Sequence, residues 1–263
     1  MKKHTSVLIT CEHAVNRVPA IFSSFIDYRD KAALDTHAGY DPGALAIAHS
    51  LARRMNAPVF KGSISRLVVD LNRSETNRHG IFGSIGKKLD KARRETALEK
   101  WHRPFHESVR RFVKQETARG RLVILLSVHS FTPRLGAQIR KADFGLLYDP
   151  ARIAERRLCR TMGRTLAESF PKARIRMNYP YRGVSDGTAS ALRKQFPRIV
   201  AVELEFNQGT LGRFSMPGIL DSVSNSVKIS NISDLLVNHG HAGSVRPESG
   251  PIPARLDYTC KKR

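Results

Sequence analysis

The stretch RLVILLSVHSFTP, residues 121–133, limits the possible folds more than any other part of the chain. Its unbroken apolar run from Leu122 to Leu126 leaves no polar face, so it reads as a strand buried inside a sheet. It then ends in His129 and Ser130, polar groups that a buried strand tolerates only with hydrogen-bond partners. Other runs have the same form. SVLITCEHA stops at Glu12 and His13, DFGLLYDP is shorter, and RIVAVELEFNQG carries Glu203 and Glu205. APVFKGSISRLVVDLNRS offers one or two further strands, and RIRMNYPYRG a strand followed by a loop.

Between these runs the apolar spacing changes to that of helices. DPGALAIAHSLARRM has Pro42 where a first helical turn accepts it. IGKKLDKARRETALEKWHRPFHESVRRFVKQETARG is a charged helix or helix pair closed by Gly120. ARIAERRLCRTMGRTLAESF is another helix, and KISNISDLLVNHGHA a closing one. Strands alternating with helices predict an α/β fold, with a mixed, largely parallel central sheet flanked by helices. Neither a repeat nor a linker divides the chain, so residues 1–240 are expected to form a single domain. Residues 241–263 lose periodicity and gain Pro, Gly and charge, and are expected to be a loosely ordered basic tail that includes His241.

The formal net charge of +22, from 45 Lys and Arg against 23 acidic residues, favours anionic partners. The basic residues fall in separate runs that read as solvated helix faces, and no basic platform interleaved with aromatics appears. A small anionic substrate gains from the same field, while nucleic acid is the alternative partner that the charge leaves open. No apolar run approaches the length of a membrane span. MKKHTSVLIT has too short an apolar stretch for a secretory signal, and Cys11, Cys159 and Cys260 are too scattered for a disulfide framework. A cytoplasmic location is expected.

His13, the segment Arg66 to Arg73, His129 and the pair Glu203 and Glu205 all lie within or just after strand-like runs. In open α/β sheets ligands bind beyond the carboxyl ends of the strands, so these groups are expected to meet at one rim. Such a set suits metal-assisted hydrolysis. Two or three His or carboxylate ligands leave an open position on zinc, a carboxylate acts as general base, and arginine steadies the oxyanion. A second Arg with an Asn grips a substrate carboxylate through a forked, charge-assisted bond.

Taken together, CEHAVNRVP, HAGYDPGALAIAHSLA, SRLVVDLNRS, WHRPFH, VHSFTP, FGLLYDP, NYPYRG and VELEFNQ resemble, in the same order, the motifs of N-formylglutamate amidohydrolases. The resemblance spans about residues 5 to 210. Through DLNR the chain is also similar to aspartoacylase and succinylglutamate desuccinylase. That implies a zinc-carboxypeptidase-like (phosphorylase/hydrolase-like) fold, one Zn2+ per chain, and a small anionic N-acyl amino acid as substrate. The implied activity is hydrolysis of the amide of an N-formylglutamate-like acidic amino acid, releasing formate or another small acid. The alternative is a polyanion- or nucleic-acid-binding protein on an amidohydrolase-like scaffold.

Residue by residue, the resemblance implies that Arg66 polarises the scissile carbonyl. Asn72 and Arg73 grip the substrate α-carboxylate, with Asp70 bracing the Arg. His129 is implied as the third zinc ligand. The relatives' His-x-x-Glu does not occur here, since Asn16 stands three residues after His13. The preferred pair is His13 with Asp41; His37 is the rival of His13, and Glu12 the rival acid. Glu205 is the preferred base, with Glu203 as alternative or as its outer partner. Asn178 and Tyr181 are expected to reach inward from the NYPYRG loop, and His106 or Arg103 to lie near substrate. Arg134, Arg140 and Arg182 are the candidates for holding a substrate side-chain carboxylate.

Overall fold

The computed structural model describes residues 5–230. A six-stranded sheet has the order β2-β1-β3-β8-β6-β7, and β4 and β5 form a separate two-stranded ribbon. In chain order the strands are β1 (Thr5–Cys11), β2 (Val59–Lys61), β3 (Leu122–Phe131), β4 (Arg134–Leu135), β5 (Gln138–Ile139), β6 (Phe144–Leu147), β7 (Ile175–Met177) and β8 (Val200–Asn207). The helices are α1 (Tyr28–Leu34), α2 (Ala44–Met55), α3 (Ser84–Lys88), α4 (Lys91–Ala97), α5 (Arg103–Ala118), α6 (Ile153–Ser169), α7 (Thr188–Gln195) and α8 (Met216–Ile229). Strands β2, β1, β3 and β8 run parallel, whereas β6 pairs antiparallel to β8 and parallel to β7. The fold is therefore the mixed, mostly parallel α/β sheet that the strand pattern predicts.

Two apolar layers sandwich the sheet. On one face Ile9, Ile124, Leu126, Val202 and Leu204 pack with side chains of α2, α6 and α8. On the other Leu8, Val123, Leu125 and Ala201 pack with those of α5 and α7. This second face changes character along the strands. Side chains two apart share a face, so Val123 and Leu125 lead to Ser127 and His129, and Ala201 leads to Glu203 and Glu205. Within one strand, the core layer thus becomes the floor of a polar site.

SRLVVDLNRS is not a strand, contrary to expectation; only Val59–Lys61 of its neighbourhood joins the sheet. The segment is a series of buried turns whose amides bond locally. Val68 N–H donates to Ser65 C=O, Asp70 N–H to Ile81 C=O, and Asn72 N–H to the Asp70 carboxylate. Val68, Val69 and Leu71 are apolar because they fill the second core layer. Helix α8 also departs from expectation, since it precedes and only partly overlaps the anticipated closing helix, the rest of which lies outside the described residues. Residues 241–263 also lie outside them.

Several basic residues on exposed helix faces pair with acids, as Arg103 does with Glu75 and Glu95. Among the described residues no helix is long and apolar enough to cross a membrane.

Glu116 ties α5 to the start of the sheet, accepting from Ser6, Arg119 and Arg121. The Ser6 hydroxyl first, and then the two guanidiniums against a smaller burial effect, lower its pKa to about 2. A carboxylate held below its unfolded value contributes stability above that value, near 4.5, and loses it as pH falls toward 2. Glu116→Gln is therefore expected to lower Tm at pH 7. The difference from wild type should shrink as pH drops from about 4.5 to about 2, which thermal melts across that range would read.

Candidate metal centre and active site

Four segments converge at the carboxyl ends of the parallel strands. His13 lies just beyond β1, Asp41 just before α2, His129 near the end of β3, and Glu205 near the end of β8. The long loop from His13 to Asp41 is closed by its own backbone, as Asp41 N–H donates to His13 C=O at 2.9 Å. Gly43 then adopts a φ of 83°, a left-handed conformation that glycine accepts without strain, and α2 starts at once. This turn fixes the Asp41 carboxylate over the floor of the site.

One donor atom each from His13, Asp41 and His129 lies within 4.8 Å of the others, and all three residues are buried. Asp41 Oδ2 is 3.3 Å from His13 Nδ1 and 2.9 Å from His129 Nδ1. The far nitrogen of each ring is anchored. His13 Nε2 meets Asp70 Oδ1 at 2.6 Å, and His129 Nε2 meets Ser127 Oγ at 2.8 Å, whose hydroxyl donates to Glu12 at 2.9 Å. A proton on each Nε2 satisfies both anchors and turns both Nδ1 lone pairs toward Asp41. Two imidazole nitrogens and a carboxylate, with outer carboxylates orienting the rings, are the donor set of an open zinc site, so the residues present fit that ion.

The charges agree with this arrangement. Burial opposes ionisation of Asp41, but the fields and hydrogen bonds of His13 and His129 hold its carboxyl well below the usual range. Burial likewise opposes a charge on His129, yet the Asp41 bond and the fields of Glu12, Asp41 and Glu205 raise its pKa to about 10. A bound cation would take over the role of that proton.

His37, the rival ligand, lines the same cleft but is not part of the cluster. Glu12, the rival acid, is fully buried and turned toward Ser127. Glu205 is 4% exposed, its backbone in register with His129, and its Oε2 has no hydrogen-bond partner. Burial chiefly, with the fields of Asp41 and Glu203, raises its pKa to about 8. Glu203 faces the same cleft one alternate position earlier, its backbone in register with Ser127 rather than His129. Of the two, Glu205 is the carboxylate with an oxygen to spare.

Arg66 and Arg73 both reach the cleft. Asp70 does not brace Arg73, contrary to expectation: it meets His13 and, at 3.2 Å, Arg66 Nη2. The reason is the Asx turn, in which Asp70 accepts Asn72 N–H and so faces back toward β1. Arg73 Nη1 is held instead by the carbonyls of Asn72 and Asp186, at 2.8 and 3.0 Å. Asn72 Oδ1 accepts Thr188 N–H at the start of α7, an approach permitted because Gly187 has no Cβ to meet that oxygen.

The WHRPFH motif supports this segment from behind. α5 begins at Arg103 with Pro104 in its first turn, and His102 Nε2 lies 2.8 Å from Arg73 C=O. His106 bonds Leu71 main chain. Neither His106 nor Arg103 lines the cleft, because the histidine faces the buried turns and the guanidinium pairs with Glu75 and Glu95 on the surface. Tyr181 does line the cleft, whereas Asn178 does not. The Asn178 side-chain oxygen accepts Tyr148 N–H and Gly183 N–H, which ties the loop at a residue whose own φ is 51°. The inward aim expected of Asn178 is thus corrected to a loop-holding one. Sequence reasoning missed the anchors of the two imidazoles; the D-L-N spacing of an Asx turn was the available signal for Asp70.

Two solved structures share this fold over most of their length. A gene product, Atu2144 of Agrobacterium tumefaciens, is 26% identical, with a TM-score of 0.68 over 91% of this chain and 93% of that one. An N-formylglutamate amidohydrolase from Ralstonia eutropha JMP134 is 16% identical, with a TM-score of 0.65 over 91% and 96%. A search of curated proteins finds no match. The sequence itself fits the family profile described as N-formylglutamate amidohydrolase over residues 5–211. With that profile spanning most of its length, the chain belongs to the N-formylglutamate amidohydrolase family.

Proposed function

We propose that the protein hydrolyses the amide bond of an N-acyl acidic amino acid resembling N-formylglutamate, with one zinc ion held by His13, Asp41 and His129. The observation that carries this reading is the buried three-donor cluster beside the unpartnered Glu205 oxygen. When bound, zinc supplies Lewis acidity, polarising an amide carbonyl and acidifying a water molecule.

The protein groups then have separate tasks. Glu205 takes the proton of the attacking water at Oε2 and returns it to the amide nitrogen as the C–N bond breaks. The products are a carboxylic acid and a free amine. Arg66, steadied by Asp41 and Asp70, donates to the carbonyl oxygen as negative charge develops there. Arg73, preset by two backbone carbonyls, and the neighbouring Asn72 receive the α-carboxylate of the substrate. Tyr181, exposed at the mouth of the cleft, borders the substrate.

Metal analysis combined with an assay on N-formylglutamate tests the reading. About one zinc per chain is expected, with hydrolysis abolished by chelation and restored by adding zinc. Protein that takes up no zinc and leaves a panel of N-acyl amino acids intact would refute it.

A further inference from the structure

Arg140 has no counter-charge. It is 4% exposed, lines the cleft, and has no carboxylate within ion-pair distance among the described residues. Its Nε has no hydrogen-bond partner, and Nη1 reaches only the Tyr181 hydroxyl, at 3.3 Å. The guanidinium lies 5.2 Å from the Tyr181 ring centre and 6.0 Å from that of Phe131. Such cation–π contacts offset only part of the cost of removing a guanidinium from water. His37, in the same cleft, is held below its usual pKa by burial and then by the positive fields of Arg140 and Arg66.

Arg140 arrives at this position through the topology. Because β6 runs antiparallel to β8, its start lies at the carboxyl end of β8, and the residues just before it enter the rim. The backbone is fixed in advance: Arg140 N–H donates to Pro133 C=O, and the Asn207 amide, from the end of β8, bonds the carbonyls of Arg140 and Ala142. Of the other candidates, Arg134 is exposed on the β4–β5 ribbon, and Arg182 is exposed at the cleft's edge. Arg66 is neutralised by Asp41 and Asp70. Arg73 and Arg140 are therefore the cleft guanidiniums that are shielded from bulk solvent without a carboxylate partner.

We infer that Arg140 is the specificity-determining residue that receives the side-chain carboxylate of the substrate. The choice of ligand rests on the amide-hydrolysing reading above. Arg73 and Arg140 then act as two anchors, one for each carboxylate, and the buried Phe131 ring and the Tyr181 ring flank the second.

The test uses full-length, zinc-loaded protein and two readouts. In calorimetry wild type should bind glutarate more tightly than butyrate by about 30-fold or more, and Arg140→Met should remove that preference. In kinetics, the ratio of kcat/KM for N-formylglutamate over N-formylglutamine should fall by about 30-fold or more in Arg140→Met. The fall should lie mainly in KM, and Arg140→Lys should recover part of it. If Arg140→Met does not fold, Arg140→Gln is read by the same ratios. Equal affinity of wild type for the two acids, or a kinetic ratio kept within about threefold in the folded variant, would overturn the assignment. If no N-formyl amino acid is cleaved but the glutarate preference is present and is lost in the variant, the anion site stands and the amide-hydrolysing reading falls.

Discussion

Glu205→Gln is expected to lower kcat for an N-formyl amino acid by about 10²–10⁴-fold, the usual share of a positioned general base. Glutamine has the size of the acid it replaces but cannot take a proton. Glu205 is outside the three-donor cluster, so the variant should keep its zinc, and KM should change little. That split separates loss of proton transfer from loss of substrate or metal. The same substitution at Glu203 should cost less, because that residue is in register with Ser127, two residues short of His129. A Glu205→Gln enzyme within threefold of wild-type kcat would transfer the base role to another group. Glu203 would be the first to test.

His129→Ala is expected to have the largest effect on metal content. Loosening an outer partner of a ligand costs about 10–100-fold in affinity, and removing the ligand itself should cost more. The purified variant should therefore hold no stoichiometric zinc and show no hydrolysis above background. Asp70→Asn is the graded comparison, since it keeps all three donors and removes only the negative charge behind the His13 ring and beside Arg66. Its zinc affinity should fall within that 10–100-fold interval. His129→Ala should also destabilise the metal-free protein by about 3–5 kcal/mol, because Asp41 is left buried with one fewer positive partner. Elemental analysis, zinc titration and thermal melts read these outcomes. A His129→Ala protein that kept full zinc would sink the proposed centre.

The parts of the fold legible in the sequence are those where one signal dominates. β3 and β8 are long apolar runs, and their polar endings fall on the site for the same reason that makes them strands: alternation puts Ser127, His129, Glu203 and Glu205 on one face. The site is thus partly visible as the place where buried strands stop being apolar. SRLVVDLNRS misleads because Val68 and Val69 carry a strand-like composition that serves burial in turns rather than pairing. The His13 ring is anchored by Asp70, 57 positions away, which no local pattern encodes. Arg140 is harder still to read, since what marks it is a missing partner, and composition cannot register that. α8 escapes because buried serines, Ser222, Ser224 and Ser226, bonded to helix backbone and to Thr165, interrupt the apolar pattern set by Ile219 and Val223 on its inner face.

β3 pairs with β1 over Leu122 to Ser127 and with β8 over Ile124 to Phe131, so its middle is flanked by strands on both sides. Arg66 to Arg73, in contrast, hang on turn contacts and isolated side-chain bonds. Amide protons of such central strands exchange with solvent only when the whole domain opens, whereas irregular segments open at lower free energy. In hydrogen exchange, Leu125 to Val128 should therefore belong to the slowest set and the Arg66–Arg73 amides to a faster one. The molecule combines a stiff floor beneath its histidine with a compliant arginine arm, which can adjust to its cargo while that floor stays still.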